Sequence, residues 1–163
     1  MSMFTHILLP VDGSLSMTPL VHKCLTFAAS IGARVLAVHV VRLAAGEGLV
    51  EADAVGRSGA EAAADVGAGP PTSAGAADGT ALAHAARILQ EVAGAAAERG
   101  VPCDCAVLTA AEPWRAIVKA AASHDVDLIC MGSHGRHGES EHVLASQAAR
   151  VLEHTRLPVL LFR

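Results

Sequence analysis

Residues 6–14, His6-Ile-Leu-Leu-Pro-Val-Asp-Gly-Ser14, decide how this sequence folds. A short apolar run that ends abruptly in Asp-Gly-Ser is typical of a buried parallel strand that leads into a turn. A second run, residues 34–41, is rich in β-branched residues and lacks the alternation of a half-exposed strand. Both runs are therefore predicted to be strands that are buried on two faces.

Segments with helical periodicity lie between these two strands and three further apolar runs. A helix is predicted from Thr18 to a left-handed exit at Gly32, and a second one over residues 80–99, ending at Gly100. The inward stripe of the second helix is predicted to contain Leu82, Ala86, Leu89 and Ala93. The remaining predicted elements are a strand over 101–108, a helix opening at Glu112, a strand over 127–131, a helix over 145–154 and a strand over 157–162.

This alternation of strands and helices predicts a doubly wound α/β fold. Parallel neighbours need crossover connections, so we expect a mostly parallel five-stranded sheet flanked by helices, of Rossmann-like type. The length of 163 residues suits one domain, 1–163. Residues 43–79 interrupt the pattern with Ala, Gly and Pro-Pro, which indicates either a disordered, flexible insertion or a functional lid, with a short helical piece over 61–66.

The composition excludes several classes of partner. Aromatic residues make up only 2% of the chain, which rules out an aromatic platform for single-stranded nucleic acid. The net charge is −4 and the basic residues are scattered, so no nucleic acid is expected as a partner. No window approaches the ~20 apolar residues of a membrane span, and membrane attachment is not expected either.

The cysteines and the first residues indicate a cytoplasmic protein. Cys24, Cys103, Cys105 and Cys130 fall in apolar helices or strands and are interpreted as reduced thiols. Residues 1–10 lack the basic segment and long apolar region of a secretory signal.

A glycine-rich segment follows the predicted strand 127–131. It reads Met131-Gly-Ser-His-Gly-Arg-His-Gly138 and leads into the last helix. Glycines let a backbone approach an anion closely, and N–H groups at a helix start favour negative charge. The segment is neither a Walker A loop nor a dinucleotide fingerprint, so it predicts a phosphate-binding loop of another kind.

Four segments together resemble the universal stress protein family. They are the opening Ile-Leu-Leu-Pro-Val-Asp-Gly-Ser14, the Val-His-Val at 38–40, the Asp-Leu-Ile-Cys-Met-Gly-Ser-His-Gly-Arg at 127–136 and the closing Pro-Val-Leu-Leu-Phe-Arg at 158–163. The resemblance implies an adenine-nucleotide alpha-hydrolase-like fold, a bound ATP or other adenine nucleotide, alone or with Mg²⁺, and a homodimer formed through the C-terminal strand 157–162.

The resemblance also implies which residues form the nucleotide site. Pro10 and Val11 would lie beside the adenosine, and Asp12 near the ribose and the metal-phosphate region. Val40 and Met131 would contact the adenine. The phosphates would lie among Gly132, His134, Gly135, Arg136, Ser146 and Gln147. The residues alone leave alternatives open: Asp12 as a turn residue that bonds its own backbone, Val40 and Met131 as plain core residues, and Ser146 as a helix-cap hydroxyl.

Two features depart from the family's nucleotide-binding pattern. Gly132 and Gly135 match its first two glycines, but Ala145 stands where the third is expected. With negative φ, Ala145 keeps its N–H available; with positive φ, the replacement costs on the order of 1 kcal/mol. Glu139 and Glu141 would repel phosphates unless a cation bridges them, which favours either Mg²⁺-ATP or a nucleotide with fewer phosphates.

No catalytic arrangement is predicted. The serines lack a nucleophile-elbow context and no carboxylate pair is placed for acid–base chemistry. The cluster His134, His137, Glu139, Glu141 and His142 is interpreted as a solvated loop and not as a metal site, and His39 as structural. The expected function is a stress-response protein that binds an adenine nucleotide and acts through partners, without enzymatic activity. The alternatives are a dimeric interaction protein that has lost nucleotide binding and a slow ATP hydrolase.

Overall fold

Strands and helices alternate along the chain. The structure is a computed structural model, and it describes residues 3–13, 17–42, 56–57, 79–132 and 144–162. Its elements are β1 (His6–Pro10), α1 (Met17–Ile31), β2 (Arg34–Arg42), β3 (Gly56–Arg57), α2 (Gly79–Ala97), β4 (Cys103–Ala110), α3 (Pro113–Ser123), β5 (Leu128–Gly132), α4 (Leu144–His154) and β6 (Val159–Phe162).

The strands form one sheet in the order β3-β4-β2-β1-β5-β6. Every neighbouring pair from β4 to β6 is parallel, which confirms the predicted five-stranded parallel sheet. β3 adds a two-residue antiparallel strand beside β4. That strand lies inside the predicted insertion 43–79, and two residues are too few to produce a periodic signal.

Helices cover the sheet on both faces. Ile7 and Leu9 of β1 pack with α1 and α2, whereas Leu8 packs with α3 and α4. All three side chains are fully buried. The neighbouring residues of a strand thus enter different helical layers, which explains why the strand is apolar throughout.

The face that α2 turns to the sheet differs from the prediction. Its buried residues are Ala85, Ile88, Leu89, Val92 and Ala96, so of the predicted stripe only Leu89 is buried. Ala86 is exposed. In a helix with alanine at so many positions, several faces are almost equally apolar, and the periodicity selects between them poorly.

The rest of the predicted insertion, 43–55 and 58–78, lies outside the described residues, as does the predicted helical piece over 61–66. Among the helices that the structure describes, none has the length and apolar character needed to cross a membrane.

Asp127 joins the amino ends of β1 and β5. Its carboxylate accepts hydrogen bonds from the Thr5 N–H (2.8 Å), the Thr5 hydroxyl (2.8 Å) and the His6 N–H (3.0 Å). Burial acts to raise the pKa of Asp127, but these hydrogen bonds outweigh it and hold the pKa below its usual range. The ionised carboxylate therefore stabilises the start of the central strand.

His6 is buried next to this carboxylate. It is 5% exposed, and neither ring nitrogen has a hydrogen-bond partner within the described part of the chain. Burial is the main cause that lowers the pKa of His6, and Arg34 lowers it further. The folded protein therefore favours the neutral imidazole.

Both groups predict that stability falls on acidification, in two separate ranges. Below about pH 6.5 the unfolded chain protonates His6 before the folded protein does, so the free energy of unfolding decreases. Below about pH 3.9 the unfolded chain protonates Asp127 first, and the stabilisation is lost as the pH falls through the folded pKa. Chemical denaturation between pH 2 and 8 measures both steps.

Two variants separate the steps. His6→Phe should abolish the decrease just below pH 6.5, and Asp127→Asn should lower the free energy of unfolding at pH 7 by about 1–3 kcal/mol. Asp125→Asn is the matched control, since Asp125 is exposed and its φ of 51° is one that asparagine tolerates. Equal pH profiles for His6→Phe and the wild type would contradict the assignment to His6.

The four cysteines all lie within the described residues and are free thiols. Contact with the Cys130 thiol, followed by burial, raises the pKa of Cys24. Cys103 and Cys105 lie two residues apart on one face of β4. Their thiols contact each other, which raises the pKa of Cys103 and lowers that of Cys105.

These differences predict the order of alkylation. Cys105 is half-buried and has the lowered pKa, so it should react first with iodoacetamide at neutral pH. The fully buried Cys24 should react only when the protein unfolds. Peptide mass mapping over time gives the order, with Cys105→Ser as the variant that lacks the fast phase; faster labelling of Cys24 would contradict the prediction.

Candidate functional site

The sheet order creates a crevice at the carboxyl ends of β1 and β5. β1 lies between β2 and β5. The chain leaves β1 through α1 on one face of the sheet and leaves β5 through α4 on the other. The two connections diverge at the point where the strand order reverses, which is where open α/β sheets bind ligands.

β2 holds the end of β1. The Val11 N–H donates to the Val38 carbonyl at 2.8 Å, and Nδ1 of His39 hydrogen-bonds the Val11 carbonyl at 2.8 Å. Val11 and His39 are 5% and 8% exposed. Both backbone polar groups of Val11 are therefore satisfied from β2, immediately before the chain turns away.

Gly13 makes the turn possible. Its φ is +74°, and a Cβ at this position would lie 2.9 Å from Cγ1 of Ile88 on α2. A side chain is therefore disfavoured both by the backbone conformation and by the close approach of α2. The half-buried Asp12 lies between this glycine and the fixed Val11.

Three of the apolar site residues share one face of the sheet. Val40 and Met131 both pack with the cluster under α3 and α4, and the alternation along β1 places Pro10 on the same face. Met131 is 6% exposed, whereas Val40 and Pro10 are half-buried. The structure thus brings these three residues together at the edge of the crevice, with Gly132 at the end of β5.

The beginning of α4 is tied to the beginning of α3. Ala145 and Ser146 follow the first residue of α4, and the next side chain, Gln147, accepts a hydrogen bond from the Trp114 N–H through its Oε1 at 3.0 Å. Glu112 is the N-cap residue of α3 but makes no capping hydrogen bond with its side chain. Gln147 therefore supplies from α4 the acceptor that α3 lacks.

Charged and aromatic side chains continue this contact. The Trp114 ring lies 4.2 Å from the ring of His154, and the Arg150 guanidinium is 5.9 Å from the Trp114 ring centre. Glu112 pairs with Arg115 at 2.6 Å and with Arg150 at 3.8 Å. Because these ion pairs are largely exposed, they orient side chains and add little stability.

Several predicted site residues lie outside the described part of the chain. His134, Gly135 and Arg136 belong to 133–143, as do His137, Glu139, Glu141 and His142 of the charged cluster. Within the described residues, no group of three or more His, Cys, Asp or Glu side chains is placed to hold a metal ion.

Two contacts of the site were not predicted. One is the His39 bond to Val11, and the other is the Gln147 bond to Trp114. The first had a usable signal, because a histidine inside a strand that is buried on both faces must find a polar partner. The second had none, since α3 and α4 meet only in the folded protein.

Comparison with known proteins agrees with this architecture. The model of the universal stress protein family matches residues 3–163. A universal stress protein family member from Burkholderia pseudomallei is 23% identical with a TM-score of 0.68, over 99% of this chain and 98% of that one. No functionally curated protein matches.

Two similar structures are described as complexes. A universal stress protein in complex with cAMP is 18% identical with a TM-score of 0.64, covering 98% of this chain and 97% of that one. The Archaeoglobus fulgidus universal stress protein in complex with dAMP is 16% identical with a TM-score of 0.63, covering 100% of both chains. These likenesses show the fold, and the family match covers almost the entire sequence: the chain belongs to the universal stress protein family.

Proposed function

We propose that this protein binds an adenine nucleotide in the crevice between the ends of β1 and β5. The observation that carries the proposal is the reversal of strand order there, which brings the turn after β1, the end of β5 and the first turn of α4 to one edge. The complexes of two structural neighbours with cAMP and dAMP support the choice of an adenine ligand.

The residues divide the crevice into an apolar and a polar part. Pro10, Val40 and Met131 offer an apolar face for the adenine, as is usual for ligand sites. Asp12 is an acceptor for ribose hydroxyls, and the N–H groups at the start of α4 favour phosphate. In this arrangement the Gln147 oxygen serves α3, and its amide nitrogen is the group that can donate to a phosphate.

The role that we propose is binding and not catalysis. The protein would act in the stress response through partners, in the cytoplasm, where its four free thiols stay reduced. Since Ala145 replaces the third glycine of the family pattern and Glu139 and Glu141 are acidic, a bridging Mg²⁺ or a nucleotide with few phosphates suits this chain best.

Calorimetric titration tests nucleotide binding. We expect ATP, ADP or AMP to bind with a Kd between about 1 μM and 1 mM, and Asp12→Asn to weaken binding about tenfold through loss of the charged ribose acceptor. Titrations with and without Mg²⁺ show whether a cation is needed. Asp125→Asn is the control, because Asp125 precedes β5 and lies at the opposite edge of the sheet.

The outcomes separate the alternatives. No heat with any of the three nucleotides would contradict the proposal and favour an interaction protein that has lost the ligand. Release of phosphate from ATP in the same samples, abolished by Asp12→Asn, would favour the hydrolase.

A second proposed property is a homodimer through residues 157–162. β6 is the last strand of the sheet, and its described neighbour is β5. Leu161 on β6 and Leu152 on α4 are 40% and 48% exposed. An edge strand with unpaired backbone groups and exposed leucine suits antiparallel pairing with a second copy.

The hydrogen-bond pattern identifies the variant that tests the dimer. The Ile129 N–H donates to the Pro158 carbonyl, so Leu160 and Phe162 direct their N–H groups toward β5, and Leu161 directs its own outward. Leu161→Pro should therefore remove a donor from the dimer contact and leave the β5 ladder intact.

Light scattering measures the outcome. The wild type should show about twice the chain mass of 16.6 kDa at micromolar concentration, and Leu161→Pro a mass close to that of one chain. A monomeric wild type would defeat the dimer proposal and leave the nucleotide site unaffected.

A further inference from the structure

We propose that His39 is a positioning residue of the nucleotide site: its imidazole holds the Val11 carbonyl and thereby sets the place of Asp12. The inference rests on the proposed function and assigns a residue that acts without touching the ligand. Its basis is the hydrogen bond of 2.8 Å between His39 Nδ1 and the Val11 oxygen, buried at the end of β1.

His39 supplies a side-chain hydrogen bond at the point where the backbone ladder between β1 and β2 ends. Val11 donates its N–H to Val38, and in a regular parallel ladder its carbonyl would next accept from a backbone N–H of β2. β1 ends at Pro10, whereas β2 continues to Arg42. The imidazole therefore satisfies the Val11 carbonyl in place of a β2 backbone N–H. The chain can then leave the sheet at this point.

The geometry also fixes the protonation of the ring. A carbonyl oxygen can only accept, so Nδ1 of His39 carries the proton and donates it to the hydrogen bond. Because His39 is 8% exposed, water cannot easily replace this donor when it is removed. A buried carbonyl left without a donor would find one by shifting the backbone.

Such a shift would move Asp12. On one side Asp12 is joined to Val11, which β2 holds by both polar groups. On the other side it is joined to Gly13, where the chain turns away from the sheet with a φ of +74°. Asp12 is thus anchored through Val11, and a preorganised acceptor binds better than a mobile one.

A set of three variants distinguishes positioning from general support of the core. In His39→Asn the amide nitrogen can occupy the place of Nδ1 and donate to Val11. In His39→Gln the donor lies one carbon farther out, nearer the place of Nε2, and His39→Leu has no donor. Asn and Gln carry the same amide group, so the main difference between these two variants is the position of the donor.

We expect nucleotide affinity to follow the position of the donor. His39→Asn should bind within about threefold of the wild type, and His39→Gln and His39→Leu about tenfold more weakly. Thermal unfolding is measured on the same samples. If His39→Leu does not fold, the comparison of Asn with Gln decides alone: equal affinity of these two variants would overturn the inference.

A double-mutant cycle shows whether His39 acts through Asp12. In the Asp12→Asn background, His39→Gln should weaken binding less than about twofold, because the group that it positions has already been altered. Independent, multiplying effects would overturn the inference. A wild type that binds no nucleotide would overturn the proposed function as well, whereas binding that is unchanged in His39→Gln would overturn only the role of His39.

Discussion

The whole structure depends on the complete burial of β1. This strand has a parallel neighbour on each edge and a helical layer on each face, so each backbone polar group in it needs a partner within the protein. At its amino end Asp127 receives the N–H groups of Thr5 and His6. At its carboxyl end the Val38 carbonyl accepts the Val11 N–H, and the His39 ring donates to the Val11 carbonyl. The hydrogen bonds at the edge of the candidate site are thus the ones that allow a fully buried central strand to leave its sheet.

Much of the fold could be predicted because its signals are local. The runs at 6–11 and 34–41 lack alternation, which indicates burial on both faces, and β1 and β2 are buried in this way. Gly32 and Gly100, predicted to end helices, both have positive φ. The prediction of the buried face of α2 was wrong, because alanine at many positions gives little hydrophobic contrast between the faces of the helix. β3 was missed because its pairing with β4 is set by the tertiary structure.

The strand ends that form the candidate site could be predicted from the sequence, but the contacts within it could not. The family resemblance placed Pro10 and Val11 beside the adenosine and Val40 and Met131 against the adenine. Pro10, Val40 and Met131 share one face of the sheet, whereas Val11 packs on the other. The hydrogen bonds of His39 and Gln147 join residues 28 and 33 positions apart. Such pairs depend on strand register and helix packing, neither of which a single sequence specifies. The assignment of all the predicted site residues rests on the family resemblance, and His134, Gly135 and Arg136 lie outside the described residues.

The contact between α3 and α4 contains the residue that dominates the intrinsic fluorescence of the protein. The chain has one tryptophan and no tyrosine, so its ultraviolet emission comes almost entirely from Trp114. That indole is 8% exposed and lies against His154, and the backbone N–H of the same residue is bound by Gln147 in the first turn of α4. A displacement of α4 therefore changes the surroundings of the only strong fluorophore. Any ligand that displaced the first turn of α4 would therefore be detectable from the emission of Trp114 without a label.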